Sequence, residues 1–142
     1  MAQRILAVDD EEHIVRLLQI RLQALGYQVM PAHDGETALE EIAACPPDLV
    51  LLDVMMPRVD GFEVLSRLKA NPETASIPVI MLTARGQFDD LRRGYGDGAE
   101  WYINKPFDMA EVEWFVRHVI GPPAPAEEPD PTEDCESAVS ER

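Results

Sequence analysis

The chain has 142 residues with a hydrophobic content of 46%, which fits one domain with its own core. Its formal net charge of -15 argues against a non-specific nucleic-acid binder and against a protein that binds anionic membranes, because both need clusters of lysine and arginine. No apolar run approaches the roughly 18 residues of a membrane span, no secretory signal precedes the first strand, and Cys45 and Cys135 do not suggest a disulfide framework. We therefore expect a cytoplasmic protein.

The apolar pattern predicts five repeats of a short strand followed by a helix. The predicted strands cover residues 4–8, 27–30, 49–52, 78–82 and 101–103, and the predicted helices begin near residues 12, 34, 62, 88 and 108. Short apolar runs separated by amphipathic helices are typical of parallel strands that are buried on both faces. The sequence therefore predicts an α/β fold built on a doubly wound, five-stranded parallel sheet.

The predicted helices differ in how clearly the sequence specifies them. The first helix has the apolar positions Ile14, Leu17, Leu18, Leu22 and Leu25, and Gly26 is expected to cap its end. The fourth, over residues 88–95, is expected to be short, because the glycines that follow each cost about 1 kcal/mol relative to alanine in a helix. The fifth begins at Asp108 with a capping-box-like start at Glu111, and its predicted core stripe is Val112, Phe115, Val116 and Val119.

Polar side chains stand at the end of four of these strands. Asp9 and Asp10 follow the first strand, Asp53 the third, Thr83 the fourth, and Lys105 comes shortly after the fifth. Ligands of open α/β sheets bind outside the carboxyl ends of the strands. We therefore expect these side chains to converge on one crevice, although almost a hundred residues separate the first from the last.

Three carboxylates, one hydroxyl and one ammonium group predict a site for a divalent cation and a phosphoryl group. Asp9, Asp10 and Asp53 supply the oxygen ligands that Mg²⁺ prefers, and the backbone carbonyl of Met55 is expected to complete its shell. Asp53 is also a candidate nucleophile, because a carboxylate attacks phosphorus to form an acyl phosphate. Lys105 would neutralise charge on the phosphoryl oxygens.

Four stretches of the chain resemble the receiver domain of bacterial two-component response regulators. They are ILAVDDE (residues 5–11), DLVLLDVMMPRVDGFEVLSRLK (48–69), IPVIMLTA (77–84) and GAEWYINKPF (98–107). The resemblance implies a flavodoxin-like (βα)5 fold with the strand order 2-1-3-4-5. It also implies a phosphoacceptor signalling module, cytoplasmic, in which Asp53 receives a phosphoryl group from a sensor histidine kinase or a phosphotransfer protein.

The resemblance also implies roles for individual residues. Mg²⁺ would be bound through Asp10 and Asp53, with Asp9 helping, often through water. Thr83 and Tyr102 would be the switch residues, and Lys105, followed by a cis bond to Pro106, would contact the phosphate. Phosphorylation would change the surface formed by the fourth helix, the fifth strand and the fifth helix, which would bind a downstream protein or a second copy of the chain. Such a module phosphorylates and dephosphorylates itself but is not a turnover enzyme.

Two departures from the family pattern fall on the expected readout surface. Glycine-rich residues 94–98 replace a more helical sequence, and Trp101 replaces an acidic residue. Trp114 is predicted to point away from the core stripe, and we hypothesise that it lies in a dimer or partner interface.

Met55 and Arg85 are expected to line the route by which water reaches the acyl phosphate. Slow self-dephosphorylation is predicted, because Met55 shields phosphorus without activating water.

Competing interpretations concern both function and domain organisation. A phosphorylation-independent scaffold is the alternative function. A phosphatase on a similar sheet is disfavoured, because Met55 stands where haloacid dehalogenase-type enzymes have a second aspartate.

Residues 1–121 are predicted to form the receiver domain. Residues 122–142 carry seven acidic residues and one arginine, which predicts a disordered tail or a linker. The chain is thus either a stand-alone regulator or part of a longer protein.

Overall fold

The computed structural model describes residues 3–56, 58–84 and 101–123 of the chain. The strands are β1 (Arg4–Val8), β2 (Gln28–Ala32), β3 (Leu49–Asp53), β4 (Val79–Ala84) and β5 (Trp101–Lys105). The helices are α1 (Glu12–Leu25), α2 (Gly35–Ala44), α3 (Gly61–Ala70) and the C-terminal helix (Met109–Ile120), which is the fifth helix of the sequence-based prediction. The predicted fourth helix, Arg85, residues 94–98, Cys135 and residues 124–142 of the predicted tail lie outside the described residues. No described helix is long and apolar enough to cross a membrane.

The strands form one parallel sheet in the order β2-β1-β3-β4-β5, as predicted. The chain runs from β1 to β2 on one side and then crosses to β3 on the other side of β1. The strand order therefore reverses between β1 and β3, and sheets of this kind bind their ligands at such a reversal. This topology directs the carboxyl ends of β1 and β3 toward the same crevice.

Both faces of the sheet are covered, which explains why β1 and β3 are apolar at almost every position. Leu6 and Leu52 point to the face that α2 and α3 cover, whereas Ile5 and Leu51 point to the face that α1 and the C-terminal helix cover. Every residue of both strands is buried. Full burial of each such aliphatic side chain stabilises the fold by about 1.5–3 kcal/mol. The two central strands are thus rigid supports for the aspartates at their ends.

Most predicted helix ends are confirmed by capping contacts. Gly26 adopts a left-handed conformation with φ 115° at the end of α1, which a glycine accommodates without strain. The Asp34 side chain accepts a hydrogen bond from the Thr37 amide at the start of α2. Asp108 caps the C-terminal helix through the amide of Ala110 rather than Glu111, so the cap closes one residue earlier than a capping box does.

Some sequence predictions need correction. Leu17 is 40% exposed and is not in the core of α1, whose buried residues are Val15, Leu18 and Leu22. Leu17 lies about 130° around the helix from the centre of that stripe, at about 100° per residue, so it faces away from the core. β5 is two residues longer than predicted, because Asn104 and Lys105 continue the ladder opposite Thr83 and Ala84 of β4. Lys105 is therefore the last residue of the strand rather than part of a following loop.

Candidate functional site

The predicted site residues lie together at the carboxyl edge of the sheet. Asp9 directly follows β1, Asp53 ends β3, Thr83 lies near the end of β4 and Lys105 ends β5. Asp9 and Thr83 are fully buried and Asp53 is 3% exposed, whereas Asp10 is exposed at the mouth. These five residues form what we call the acidic crevice. The rigid strands beneath it hold the side chains with little freedom.

The three aspartates of the acidic crevice form a cluster that suits a hard cation. Carboxylate oxygens of Asp9, Asp10 and Asp53 all lie within 4.8 Å of one another. Met55 follows two residues after Asp53, and its backbone amide donates to Asp53 Oδ1 at 3.4 Å, so the backbone here runs close to the cluster. Oxygen donors of this kind and number fit Mg²⁺. A cation would also relieve the repulsion among the carboxylates.

Lys105 is the cationic residue of the acidic crevice and bridges its carboxylates. Its Nζ lies 2.6 Å from Asp9 Oδ2 and 3.3 Å from Asp53 Oδ1. Its side chain is only 15% exposed, which weakens the screening of these contacts by water. The peptide bond between Lys105 and Pro106 is cis, as predicted. Lys105 thus connects β5 to the aspartates of β1 and β3.

The acidic crevice shifts the protonation of two of its members. Burial first, and then repulsion from the Asp9 carboxylate, raise the pKa of Asp53 to about 7 against the opposing effect of Lys105 and the Met55 amide. Burial lowers the pKa of Lys105, but the hydrogen bond to Asp9 and the charges of Asp53 and Asp9 outweigh burial, and the pKa is raised overall. Lys105 therefore stays charged at neutral pH, whereas Asp53 is partly protonated there.

The loop after β3 fixes the backbone of Asp53. The amide of Gly61 donates to the carbonyl of Val54 at 2.9 Å, and Asp60 caps α3 through the amide of Glu63 at 2.9 Å. A Cβ at position 61 would collide with the backbone of Asp53 and Val54, so only glycine permits this close approach. The start of α3 therefore packs directly against the phosphoacceptor candidate.

Glu11 is a residue of this site that the sequence prediction missed. Its Oε1 lies 3.6 Å from Lys105 Nζ, and its Oε2 lies 3.6 Å from His13 Nε2. Its backbone amide donates to Asp9 Oδ1 at 2.9 Å. An acidic residue directly after the aspartate pair was the available signal, but only the tertiary structure brings Lys105 to it.

The two predicted switch residues lie in neighbouring strands. Thr83 is one residue beyond Leu82, the register partner of Asp53, and it stands opposite Asn104 of β5. Tyr102 is partly buried and packs against the cluster that includes Met81 and the buried residues of α2 and α3. Both residues therefore lie on the adjacent strands β4 and β5, with Thr83 nearer the acidic crevice and Tyr102 nearer the start of β5.

Four aromatic side chains form a surface on β5 and the C-terminal helix, which we call the aromatic surface. Trp101 is 48% exposed and packs on the Phe115 ring at 4.9 Å, and Trp114 is 58% exposed and meets the same ring edge-on at 5.0 Å. The Trp114 ring also stacks on His118 at 4.9 Å with an interplanar angle of 9°. Trp114 points away from the core, as predicted.

The sequence and the fold match known proteins over most of the chain. The family model described as the response regulator receiver domain matches residues 5–117. The DNA-binding dual master transcriptional regulator RpaA of Synechocystis sp. is 44% identical over 117 residues, which are 82% of this chain and 48% of that protein. The response regulator PleD of Caulobacter vibrioides is 48% identical over 117 residues, which are 82% of this chain and 25% of that protein.

A solved structure supports the same relationship. The chemotaxis protein CheY4 of Vibrio cholerae superposes with a TM-score of 0.78 at 29% identity, covering 84% of this chain and 99% of that chain. The chain spans about half the length of RpaA and a quarter of PleD, so the similarity concerns one domain of those longer proteins. With the matching strand order and the acidic crevice at the carboxyl edge, these similarities show that the chain belongs to the family of response regulator receiver domains.

Proposed function

We propose that this chain is a phosphoacceptor module in which Asp53 receives a phosphoryl group from a histidine kinase or a phosphotransfer protein in a Mg²⁺-dependent step. The observation that carries the proposal is the grouping of a buried Asp53 with two further carboxylates and with Lys105 in one crevice. A nucleophile, a cation site and a fixed ammonium group are the parts that phosphoryl transfer needs.

In the proposed transfer, one carboxylate oxygen of Asp53 bonds to phosphorus while the P–N bond of the donor phosphohistidine breaks. The electron pair of that bond stays on the imidazole nitrogen, and the imidazole leaves as a neutral ring because its other nitrogen carries a proton. Lys105 Nζ, at 3.3 Å from Asp53 Oδ1, is positioned to donate to an oxygen of the transferred group. The product is an acyl phosphate on Asp53.

Mg²⁺ would be held by Asp10, Asp53 and the Met55 carbonyl, with Asp9 acting through water. When bound, the ion neutralises the carboxylates and the charge that spreads over the phosphoryl oxygens. Asp9 has a second task, because its Oδ2 holds Lys105 at 2.6 Å and so sets the direction from which the ammonium group approaches Asp53.

Thr83 and Tyr102 are the proposed switch residues. The Thr83 hydroxyl would move toward a phosphoryl oxygen, and Tyr102 would turn inward to fill the space that Thr83 leaves. A phosphoryl group shifts such an equilibrium only through contacts that differ between the two states. The buried position of Thr83 at the crevice edge and the partly buried position of Tyr102 support this assignment.

The proposed readout surface lies on β5 and the C-terminal helix, together with the predicted fourth helix. Trp114, 58% exposed at the centre of the aromatic surface, is the residue we expect to contact a downstream protein or a second copy of the chain. The acidic composition of the chain makes a direct contact with nucleic acid unfavourable.

We also propose that the protein turns over no further substrate. The acyl phosphate is expected to hydrolyse slowly, because the Met55 side chain, 60% exposed at the mouth of the crevice, shields phosphorus without activating water.

The test is intact-mass analysis after incubation with acetyl phosphate and Mg²⁺. We expect the mass of one phosphoryl group to be added to the parent protein, and to be absent without the metal. Asp53→Asn, which keeps the size of the side chain but removes the nucleophile, is expected to show no adduct. Asp48→Asn is the matched control, because Asp48 precedes the opposite end of β3 and accepts a hydrogen bond from the Arg4 amide, away from the acidic crevice.

A folded parent protein that takes up neither phosphoryl groups nor beryllofluoride would contradict this function and favour the phosphorylation-independent scaffold. Equal labelling of the parent and of Asp53→Asn would show that another residue is the acceptor. A phosphoryl half-life of seconds would contradict the proposed shielding by Met55 without affecting the assignment of Asp53.

A further inference from the structure

Glu11 places an additional carboxylate at the mouth of the acidic crevice. Its side chain is 50% exposed, and its Oε1 lies 3.6 Å from Lys105 Nζ. The hydrogen bond from its backbone amide to Asp9 Oδ1, at 2.9 Å, fixes where the side chain begins. His13, at 3.6 Å from Oε2, lies on the other side of the carboxylate. Glu11 is therefore held beside the path into the crevice.

The side chain of Glu11 is not needed to start the neighbouring helix. Glu11 is the N-cap of α1, but its side chain accepts no capping hydrogen bond. An N-cap side chain ordinarily stabilises its helix by accepting a hydrogen bond from one of the first backbone amides. Here the carboxylate is directed to Lys105 instead, so its placement calls for a role in the crevice.

The charges in the crevice suggest what that role is. The carboxylates of Asp9, Asp10 and Asp53, together with Lys105, carry a net charge of two negative units when all are ionised. One bound Mg²⁺ would bring this sum to zero, and Glu11 would make it negative again. A residual negative charge repels an anion that approaches from solvent, and water at the partly exposed mouth weakens this repulsion without abolishing it.

We propose that Glu11 is a specificity-determining residue that disfavours dianionic small phosphodonors relative to donors whose nitrogen leaving group carries a proton, such as a protein-bound phosphohistidine. It acts by repelling the incoming dianion at the mouth of the crevice. A donor protein also gains contacts outside the crevice that offset this repulsion, whereas a free metabolite has none. This inference rests on the proposed function, because it concerns which donors phosphorylate Asp53.

The experiment compares self-phosphorylation rates with acetyl phosphate and with phosphoramidate, at equal Mg²⁺ and low salt. With acetyl phosphate, the P–O bond breaks and acetate leaves with the electron pair. With phosphoramidate, the P–N bond breaks and ammonia leaves, because its nitrogen is already protonated. That proton also makes phosphoramidate less negative than acetyl phosphate near neutral pH, so the two donors differ in the property that Glu11 is proposed to sense.

Glu11→Gln is expected to raise the rate with acetyl phosphate about five-fold and the rate with phosphoramidate less than about two-fold, an effect of the size expected for one nearby charge. Added salt should reduce the difference. Glu12→Gln removes the same charge one residue away, where the side chain pairs with Arg16, and should leave both rates as in the parent. Glu11→Asp keeps the charge and should also resemble the parent.

Three results would overturn this inference. The self-phosphorylation rates of Glu11→Gln could equal those of the parent, or they could equal those of Glu12→Gln. The substitution could also accelerate the reaction with both donors equally, which would indicate a general effect on Lys105 without selection by charge. A parent protein and a Glu11→Gln variant that are both folded, accept no phosphoryl group from either donor and bind no beryllofluoride would overturn the proposed function itself and this inference with it. The two failures are thus distinguished by whether Asp53 is phosphorylated at all.

Discussion

The acidic crevice and the aromatic surface are linked by one strand but differ in almost every property. Lys105 at the end of β5 belongs to the crevice, and Trp101 at its start belongs to the aromatic surface. The crevice buries charged groups that contact one another, whereas the aromatic surface leaves two tryptophans about half exposed. A protein buries charge only where the groups are paired or bind an ion. The crevice is therefore a compact set of buried, paired charges, whereas the aromatic surface leaves apolar area exposed to solvent.

The two regions also differ in their effect on folding. Burial of the Asp53 carboxylate, and then its repulsion from Asp9, oppose folding, because both carboxylates are brought together with little water. The tryptophans of the aromatic surface gain some packing from Phe115 and lose little by remaining exposed. Substitutions in the crevice should therefore change chemistry and stability together, and substitutions on the aromatic surface should change association alone.

Among substitutions that leave the acceptor Asp53 in place, the largest effect is expected from Lys105→Ala. Removing a fixed donor to the transferred phosphoryl group should slow self-phosphorylation by about 10²–10³-fold. The rate is measured by intact mass with acetyl phosphate as the donor. Lys69→Ala is the matched control, because Lys69 Nζ binds the carbonyls of Ala75 and Ile77 away from the crevice. A rate for Lys105→Ala within two-fold of the parent rate would remove Lys105 from the mechanism.

Mg²⁺ is expected to stabilise the parent protein but not Asp53→Asn to the same extent. A ligand that binds only the folded state at 100 times its dissociation constant adds about 2.7 kcal/mol to the free energy of unfolding. The increment should grow as the pH rises through 7, because the proton on Asp53 competes with the cation. Urea unfolding with and without Mg²⁺ at several pH values measures this. An increment independent of pH would mean that Asp53 is not a ligand.

Without metal, Asp53→Asn is expected to be more stable than the parent at neutral pH. The pKa of Asp53 is raised to about 7 in the folded state, so the folded protein binds more protons than the unfolded chain between pH 4 and 7. The free energy of unfolding of the parent therefore falls as the pH rises through this window. The free energy of unfolding of Asp53→Asn does not fall in this way, because the asparagine side chain does not titrate. We expect a difference of about 2 kcal/mol at pH 8, roughly half of what the full shift would supply, because solvent at the mouth screens the repulsion.

Urea unfolding in a metal chelator at pH 4 and pH 8 measures this difference, which should vanish at the lower pH. Glu40→Gln on the exposed side of α2 serves as the control for the loss of one negative charge. If the two variants gained the same stability at pH 8, the cause would be neither the burial of the Asp53 carboxylate nor its repulsion from Asp9.

The smallest effect on the domain itself is expected from Trp114→Ala on the aromatic surface. Its free energy of unfolding should change by less than about 1 kcal/mol, and its phosphorylation rate should equal that of the parent, because Trp114 is exposed and its ring contacts are with Phe115 and His118 rather than with the acidic crevice. Phosphorylation-dependent association, followed by light scattering, should weaken. Ile20→Ala, which is 59% exposed on α1, is the control. Unchanged association in Trp114→Ala would remove the aromatic surface from the proposed readout.

Much of the fold follows from local sequence patterns. β1 and β3 are apolar at successive positions because both faces of the sheet are covered, and that pattern is visible without any structure. Gly26, Asp34 and Asp108 mark helix ends through contacts within four residues, so these predictions were confirmed. Leu17 was misassigned because helical spacing alone does not say which flank of an apolar stripe a neighbouring sheet covers.

Local patterns in the sequence predict the succession of strands and helices along the chain and the acidic residues at the strand ends, because these depend on near neighbours in the chain. The contacts of Lys105 with Asp9, Asp53 and Glu11 follow from the tertiary structure alone, since 96 residues separate Lys105 from Asp9. The tertiary structure also decided the raised pKa of Asp53, which arises from burial and from a charge on another strand. Local sequence specifies local conformation, whereas the electrostatics of a site are sums over groups that only the folded chain brings together.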